Sequence, residues 1–310
     1  MNTPDSSMWC RHTSSAILLI LSFYLYPAST GFSQSATIPQ RTDTNVIVAS
    51  YNIKWLGDQP HDLDKLAAVI QHFDLCGIIE VKKERTVAEL AGKLNQVTGQ
   101  PWGHVFGFRT HRPHGDYHEA YAVVWRKDRV ELGGGVVSNV FDKNEIFRND
   151  PFVVTFRRGG FDFALMLVHT RWTDDPEGTR IKEVAGVANQ LNWMKGFLAE
   201  QDFIVAGDFN YSGSAPAMKS MASQAGLTQI DPNQKSTFKS DFTGYASPYD
   251  HIFVPNRTLA RFQSGNCHVM DTTRVVYGDN SVSNMKASQK ELSDHLPVWA
   301  VFDVALPDDD

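Results

Sequence analysis

The chain has 310 residues, 42% of them hydrophobic and 21% charged, with a formal net charge of −6. That charge excludes a uniformly basic surface, so any polyanion has to meet a local patch. Its 3 cysteines are too few for a disulfide framework.

In chain order, Arg11 and His12 precede an apolar run from Ala16 to Tyr26, and small residues follow from Pro27 to Ala36. This pattern reads as a secretory signal peptide over residues 1–36, with an apolar core too short to span a bilayer. No later stretch is long and apolar enough for a transmembrane helix, so no stable membrane insertion is expected once the leader is removed. Cleavage removes Cys10. It leaves Cys76 in an apolar run and Cys267 in a polar stretch, and two unbridged thiols are expected. No repeat, low-complexity tract or Pro/Ser linker divides residues 37–310, which read as one large domain and a monomer.

Val46 to Tyr51 reads as a strand ending at Asn52, and Asp62 to Phe73 as an amphipathic helix. Leu75 to Val81 forms a second strand with Glu80 at its end, and the spacing of Val87, Leu90, Ala91, Leu94 and Val97 predicts another helix. Strand, helix, strand, helix opens an α/β sheet. The stretch Arg109 to His118 then packs arginines and histidines into a basic loop, which on composition alone is a solvated surface. Ala120 to Trp125, Arg129 to Val140, Pro151 to Arg157 and Phe161 to His169 read as strands joined by short connections, as in antiparallel pairing. A helix from Thr179 to Leu198 leads to the buried strand Phe203 to Ala206, broken by Gly207 and followed at once by Asp208 and Asn210. Short strands near Tyr249 to Val254 and Pro297 to Val304 complete the pattern. The predicted class is α/β: a four-layer sandwich of two packed mixed sheets with helices outside.

Polar residues recur at the strand ends: Asn52, Glu80, His169, Asp208 with Asn210, Asp250, and Asp294 with His295. Each alone has a plain explanation as a turn residue, a helix cap or a hydrogen-bonded core histidine. Together, carboxylates, amides and histidines without cysteine are what a hard divalent cation and a proton-transfer pair require. The chemistry that fits is phosphate-ester hydrolysis. Glu80, Asn52 and one or two aspartates suit Mg²⁺, and two histidines oriented by carboxylates share the proton work.

Ala49-Ser-Tyr-Asn52, Ile78-Ile-Glu80-Val, Val168-His169-Thr, Gly207-Asp208-Phe-Asn210, Tyr249-Asp250-His-Ile and Ser293-Asp294-His295-Leu-Pro297 occur in that order. Together they resemble the endonuclease/exonuclease/phosphatase superfamily, over essentially all of residues 37–310. The segment Tyr117-His-Glu119-Ala-Tyr121 is most similar to the deoxyribonuclease I branch. The resemblance implies that Glu119 orients His169 and Asp250 orients His295. It implies that Glu80, Asn52 and Asp294 hold the metal, with Asp208 and Asn210 positioning metal, water and phosphate. Tyr117 would contact nucleic acid. Lys82 stands where that branch has a minor-groove arginine, and Arg148 approximates its phosphate-binding arginine, one residue further from Pro151 than in the branch. The implied protein is a secreted or periplasmic endonuclease acting on DNA, dependent on Mg²⁺, with Mn²⁺ as an alternative and Ca²⁺ as a supporting ion. A phosphodiesterase or phosphatase of lipid head groups (sphingomyelinase-like) or inositol phosphates is the competing reading. It calls for an exposed apolar hairpin for membrane docking, of which the sequence has no clear instance, or for a specific basic loop that reads phosphates. A binding module with a dead site is the third, weakened because every expected site position carries a competent residue.

Overall fold

The structure, a computed structural model, describes residues 38–107 and 119–308. The leader, the basic loop Arg109 to His118 and, with it, Tyr117 lie outside the described residues.

Strand β1 (Asn45–Leu56) alternates: Val46 and Val48 enter one core, Ile47, Ala49 and Tyr51 another. A strand buried on both faces belongs in the middle of a layered sheet. Helix α1 (Leu63–Ile70) starts at Asp62, whose carboxylate accepts from the Asp64 and Lys65 N–H groups, satisfying donors that a helix start leaves unpaired. Strand β2 (Leu75–Val81) and helix α2 (Glu84–Thr98) follow, the helix burying Val87, Leu90, Ala91 and Leu94. Next come β3 (Trp102–Phe106), β4 (Ala120–Arg126), β5 (Glu131–Asn139), β6 (Phe152–Arg158) and β7 (Phe161–His169). Helix α3 (Glu177–Lys195) leads to β8 (Phe203–Asp208), α4 (Pro216–Ala225), β9 (Leu227–Gln229) and β10 (Asp250–Pro255). The chain closes with β11 (Phe262–Val269), α5 (Thr272–Tyr277), α6 (Val282–Glu291) and β12 (Val298–Asp303).

The strands form two 6-stranded sheets, ordered β11-β12-β1-β2-β4-β3 and β5-β6-β7-β8-β10-β9. Both are mixed: β1 and β2 are parallel, as are β7 and β8, while the other neighbours run antiparallel. Val46, Val48 and Leu75 of one sheet share a core with Val154, Leu165 and Ile204 of the other. Helices α1 and α2 bury their apolar stripes on the outer face of the first sheet, and α3 and α4 on that of the second. The predicted four-layer sandwich is therefore the observed fold.

Some details differ from the sequence reading. Strand β1 does not end at Asn52 but runs on to Leu56, and its ladder with β2 shifts between those residues. Strands β3, β9 and β11 and helices α4 to α6 add to the predicted set. Edge strand β11 carries no apolar alternation to read, because most of it is exposed or half-buried. Its Cys267 is nonetheless buried, and Cys76 and Cys267 are both free thiols. Among the described residues no helix is long and apolar enough to cross a membrane.

Candidate active site

The face of each strand that builds the inter-sheet core also supplies the site. On β8, Ile204 and Ala206 face that core, and the next residue on the same side is Asp208; on β7, Leu165 and Leu167 lead likewise to His169. Read backwards, Val254 and Ile252 on β10 lead to Asp250, and Val123 and Tyr121 on β4 lead to Glu119. On β1, Val46 and Val48 lead through Ser50 to Asn52. Because β4 and β10 run antiparallel to β2 and β8, these polar residues gather at one end of the sandwich.

Glu80 is the exception. Alternation with Cys76 and Ile78 would send it to the outer face, but its φ is +62° and the β2–β4 ladder shifts between Ile78 and Val81. That left-handed backbone, costly for a residue with a side chain, turns the carboxylate inward to accept from Asn52 Nδ2 at 2.9 Å. Asn210 takes a similar φ of +50°. It donates its backbone N–H to Asp208 Oδ1 at 2.9 Å and its amide to the Thr170 carbonyl at 2.9 Å.

Two carboxylate-held imidazoles face each other across Asp208. His169 Nδ1 lies 2.9 Å from Glu119 Oε2, and His295 Nδ1 lies 2.7 Å from Asp250 Oδ2. Such contacts fix the tautomer and leave Nε2 toward the cleft. The two Nε2 atoms sit 3.8 Å and 3.5 Å from Asp208 Oδ2, which also accepts from Asn52 Nδ2 at 3.0 Å. Ser236 Oγ donates to Asp250 at 2.6 Å, and Asn149 Nδ2 to Glu119 at 3.3 Å, so both orienting carboxylates are themselves held. Ser293 Oγ ties the Ser-Asp-His turn to β1 by donating to the Asn52 carbonyl at 2.6 Å.

The electrostatics follow from crowding. Burial opposes charge on His169, but Glu119, with Asp208 and Glu80 behind it, overcomes this and lifts its pKa to about 10. His295 is held well above its ordinary value against the same opposition by Asp250 and Asp208. Burial, then the neighbouring Glu119, raises Glu80, while burial raises Asp250 despite the partial offset from His295. Asp294 goes the other way: although burial acts to raise it, His295 and Lys54 hold it low, Lys54 Nζ standing 2.5 Å from its Oδ2.

A hard cation fits these residues. The Oδ1 atoms of Asn52 and Asn210 are buried with no hydrogen-bond partner, which is costly unless something is to be bound. Glu80, Glu119 and His169 form one group with potential ligand atoms within 4.8 Å of one another, and Asp208, Asp250 and His295 form a second. Oxygen-rich donors around buried carboxylates suit Mg²⁺ or Mn²⁺.

A cleft of about 440 Å³ opens over this cluster, lined by Glu80, Glu119, His169, Asp208, Asp294 and His295 together with Arg148, Trp172 and Tyr249. Arg148 reaches it with its guanidinium 3.4 Å from Asp175, while Glu183 takes its backbone N–H at 2.5 Å. Lys82 is 9% exposed, with its ammonium 3.9 Å from Glu119 and over the Trp55 ring. It is thus turned toward the site's own acids. Sequence reasoning missed Lys54, Asn149, Ser236 and Trp172, and it included Ser293 only as part of the Ser-Asp-His motif, without its bond to β1. Lys54 carried a signal, standing two positions after Asn52 on the same side of a strand; the serines and Asn149 act through tertiary contacts that no local pattern announces.

The layering and the polar cluster at one end of the strands define a four-layer α/β sandwich built around an acid and imidazole site. Residues 49–295 match the profile of the Endonuclease/Exonuclease/phosphatase family, and the chain belongs to that family, whose enzymes depend on a divalent metal ion. A curated relative named Deoxyribonuclease, from Thioalkalivibrio sp. (strain K90mix), is 27% identical over 275 residues, 86% of this chain and 73% of the relative. An endonuclease/exonuclease/phosphatase structure from Bacteroides vulgatus superposes with a TM-score of 0.57 at 18% identity, covering 84% of this chain and 99% of that one. A mannosyl-6-phosphatase of Bacteroides thetaiotaomicron has a TM-score of 0.53 at 17% identity, over 82% of this chain and 98% of its own. The two structures establish likeness of fold.

Proposed function

We propose that this protein is a divalent-metal-dependent nuclease that hydrolyses phosphodiester bonds within DNA strands and acts outside the cytoplasm. The observation that carries the chemistry is the pair of carboxylate-held imidazoles on either side of Asp208. DNA as substrate is supported by the relative named Deoxyribonuclease. Export is supported by the leader pattern of residues 1–36, and its destination is secreted or periplasmic.

Glu80, Asn52 and Asp294 are assigned to the metal, with Asp208 and Asn210 beside it. A divalent cation held there would supply positive charge to offset the charge that develops on the phosphate. The chain's own groups do the rest. One imidazole, acting in its neutral form, takes a proton from the attacking water at Nε2, and the other, acting in its charged form, gives one to the departing oxygen, each kept in register by Glu119 or Asp250 through Nδ1. Asp208, between the two Nε2 atoms, stabilises whichever ring is charged. Asn210 holds Asp208 by its backbone N–H, and Arg148 offers a guanidinium to the phosphate from the cleft wall.

A substrate panel tests this reading. With Mg²⁺, the purified chain is expected to degrade DNA and to leave sphingomyelin and inositol phosphates intact. Turnover of a lipid head group or an inositol phosphate, with DNA untouched, would transfer the same chemistry to the competing substrate class.

A further inference from the structure

Trp172, on the wall of the cleft, plays no part in the proton chemistry. It lies in the turn after β7, close behind His169 in the chain, yet it is 46% exposed. It is not loosely placed: its ring meets Tyr249 edge-on, with centroids 6.1 Å apart at 88°. Tyr249 immediately precedes Asp250, and its N–H donates to Ser236 Oγ at 3.2 Å. In the backbone just before it, the Arg171 N–H is fixed by Glu183 Oε2 at 2.5 Å. The ring is therefore held by Tyr249, on a backbone anchored at Arg171, while nearly half of its surface stays open to water, an arrangement that leaves apolar area to be buried by something else.

The surroundings say what that is. A second hollow of about 370 Å³, lined by Arg148, Trp172, Asp174 and Asp175, adjoins the first, and the two share Arg148 and Trp172. A ligand leaving the phosphate site thus crosses the indole into a pocket with carboxylates on its wall. Carboxylates repel a phosphate but accept from the amino group of a nucleobase edge. We propose that Trp172, braced by Tyr249, is a stacking ledge for an unpaired base flanking the scissile phosphate, so that single-stranded DNA is the preferred substrate. This rests on the nuclease reading of the same site. A base can lie on the ledge only when it has left its neighbours in a duplex, and base–aromatic stacking tolerates every base because each has a π face.

The test uses a single strand of about 20 nucleotides carrying one tetrahydrofuran residue in place of a nucleoside, with products resolved linkage by linkage. Cleavage at the linkage flanking the missing base is expected to fall roughly 5- to 100-fold below the other linkages, matching the stacking energies typical of such platforms. In Trp172→Ala that local dip disappears as all linkages slow together, whereas Trp172→Phe retains it. A dip of equal depth in wild type and Trp172→Ala, or no dip in wild type, overturns the ledge while leaving the nuclease reading standing. A folded, Mg²⁺-loaded wild type that leaves this strand uncut while nicking supercoiled plasmid overturns the ledge alone, and one that cuts neither overturns both.

Discussion

Replacing His169 with alanine is expected to slow DNA hydrolysis about 10²–10⁴-fold, the usual contribution of a positioned acid or base, without unfolding the protein. The two halves of that expectation have separate grounds. The side chain is bonded at Nδ1 to Glu119 and lines the cleft at 12% exposure. Its removal therefore opens a space that water can enter, where truncating Leu165 or Leu167 on the same strand would leave a sealed apolar cavity. Activity has no such substitute, because no other imidazole lies within reach of Asp208 on that side among the described residues. His295→Ala is expected to lose a similar amount. The double variant should be little worse than either single one, since both rings serve one transition state. Glu119→Gln keeps the volume and an acceptor oxygen but loses the charge that holds the His169 imidazolium and allows the amide NH₂ to face Nδ1, so it should fall between wild type and His169→Ala. Initial rates on DNA beside circular-dichroism melting check all four; a folded His169→Ala with undiminished rate contradicts the assignment.

The largest effect on stability is expected from Gly207→Ala. Gly207 sits at φ +154° in β8, where it pairs with Val168 of β7. A Cβ placed there would lie 1.9 Å from the Val168 carbonyl oxygen. That atom is backbone, so no rotamer change relieves the clash and the strands themselves must part. Parting them also moves His169 and Asp208, the next pair in the register. A cost of about 4 kcal/mol or more follows, a fall in Tm of roughly 10 °C for a domain of this size. Gly99 is the control. It ends α2 at φ +66°, and a Cβ there would have nothing within 4 Å, so Gly99→Ala carries only the left-handed backbone penalty of about 1 kcal/mol. Equal melting temperatures for the two variants would show that the close approach at Gly207 is not structurally limiting.

The strands that carry the site were the most legible parts of the chain, for a physical reason. Strands β2, β7 and β8 are buried on both faces, so their apolar runs stand out and the polar residue that ends each run is conspicuous. That contrast makes Glu80, His169 and Asp208 visible in the sequence alone. Glu119 was legible only by resemblance, since its surroundings in sequence look like an exposed edge. Its 3% exposure follows from alternation with Tyr121, Val123 and Trp125, a cue available in the predicted strand and not drawn from it. Glu80 shows the opposite limit. Alternation alone points it away from the site, and only a positive φ brings it in; no local pattern of side chains announces that turn. Lys54, Ser236, Ser293 and Asn149 act through partners between 14 and 241 positions away in the chain, and long-range pairing of that kind leaves no period to read. Trp172 fell between a strand and a helix, where composition says little about which aromatics are buried and which are displayed.

Metal-dependent cutting within DNA strands by way of His169 is tested most directly by incubating residues 37–310 with supercoiled plasmid, in Mg²⁺ or in chelator, beside His169→Ala. Nicked circles are expected from wild type with Mg²⁺, and intact supercoils in the other two reactions. Folded, Mg²⁺-loaded wild type that leaves both the plasmid and single-stranded DNA intact, or nicking that persists in chelator or without the His169 imidazole, would contradict the proposed mechanism.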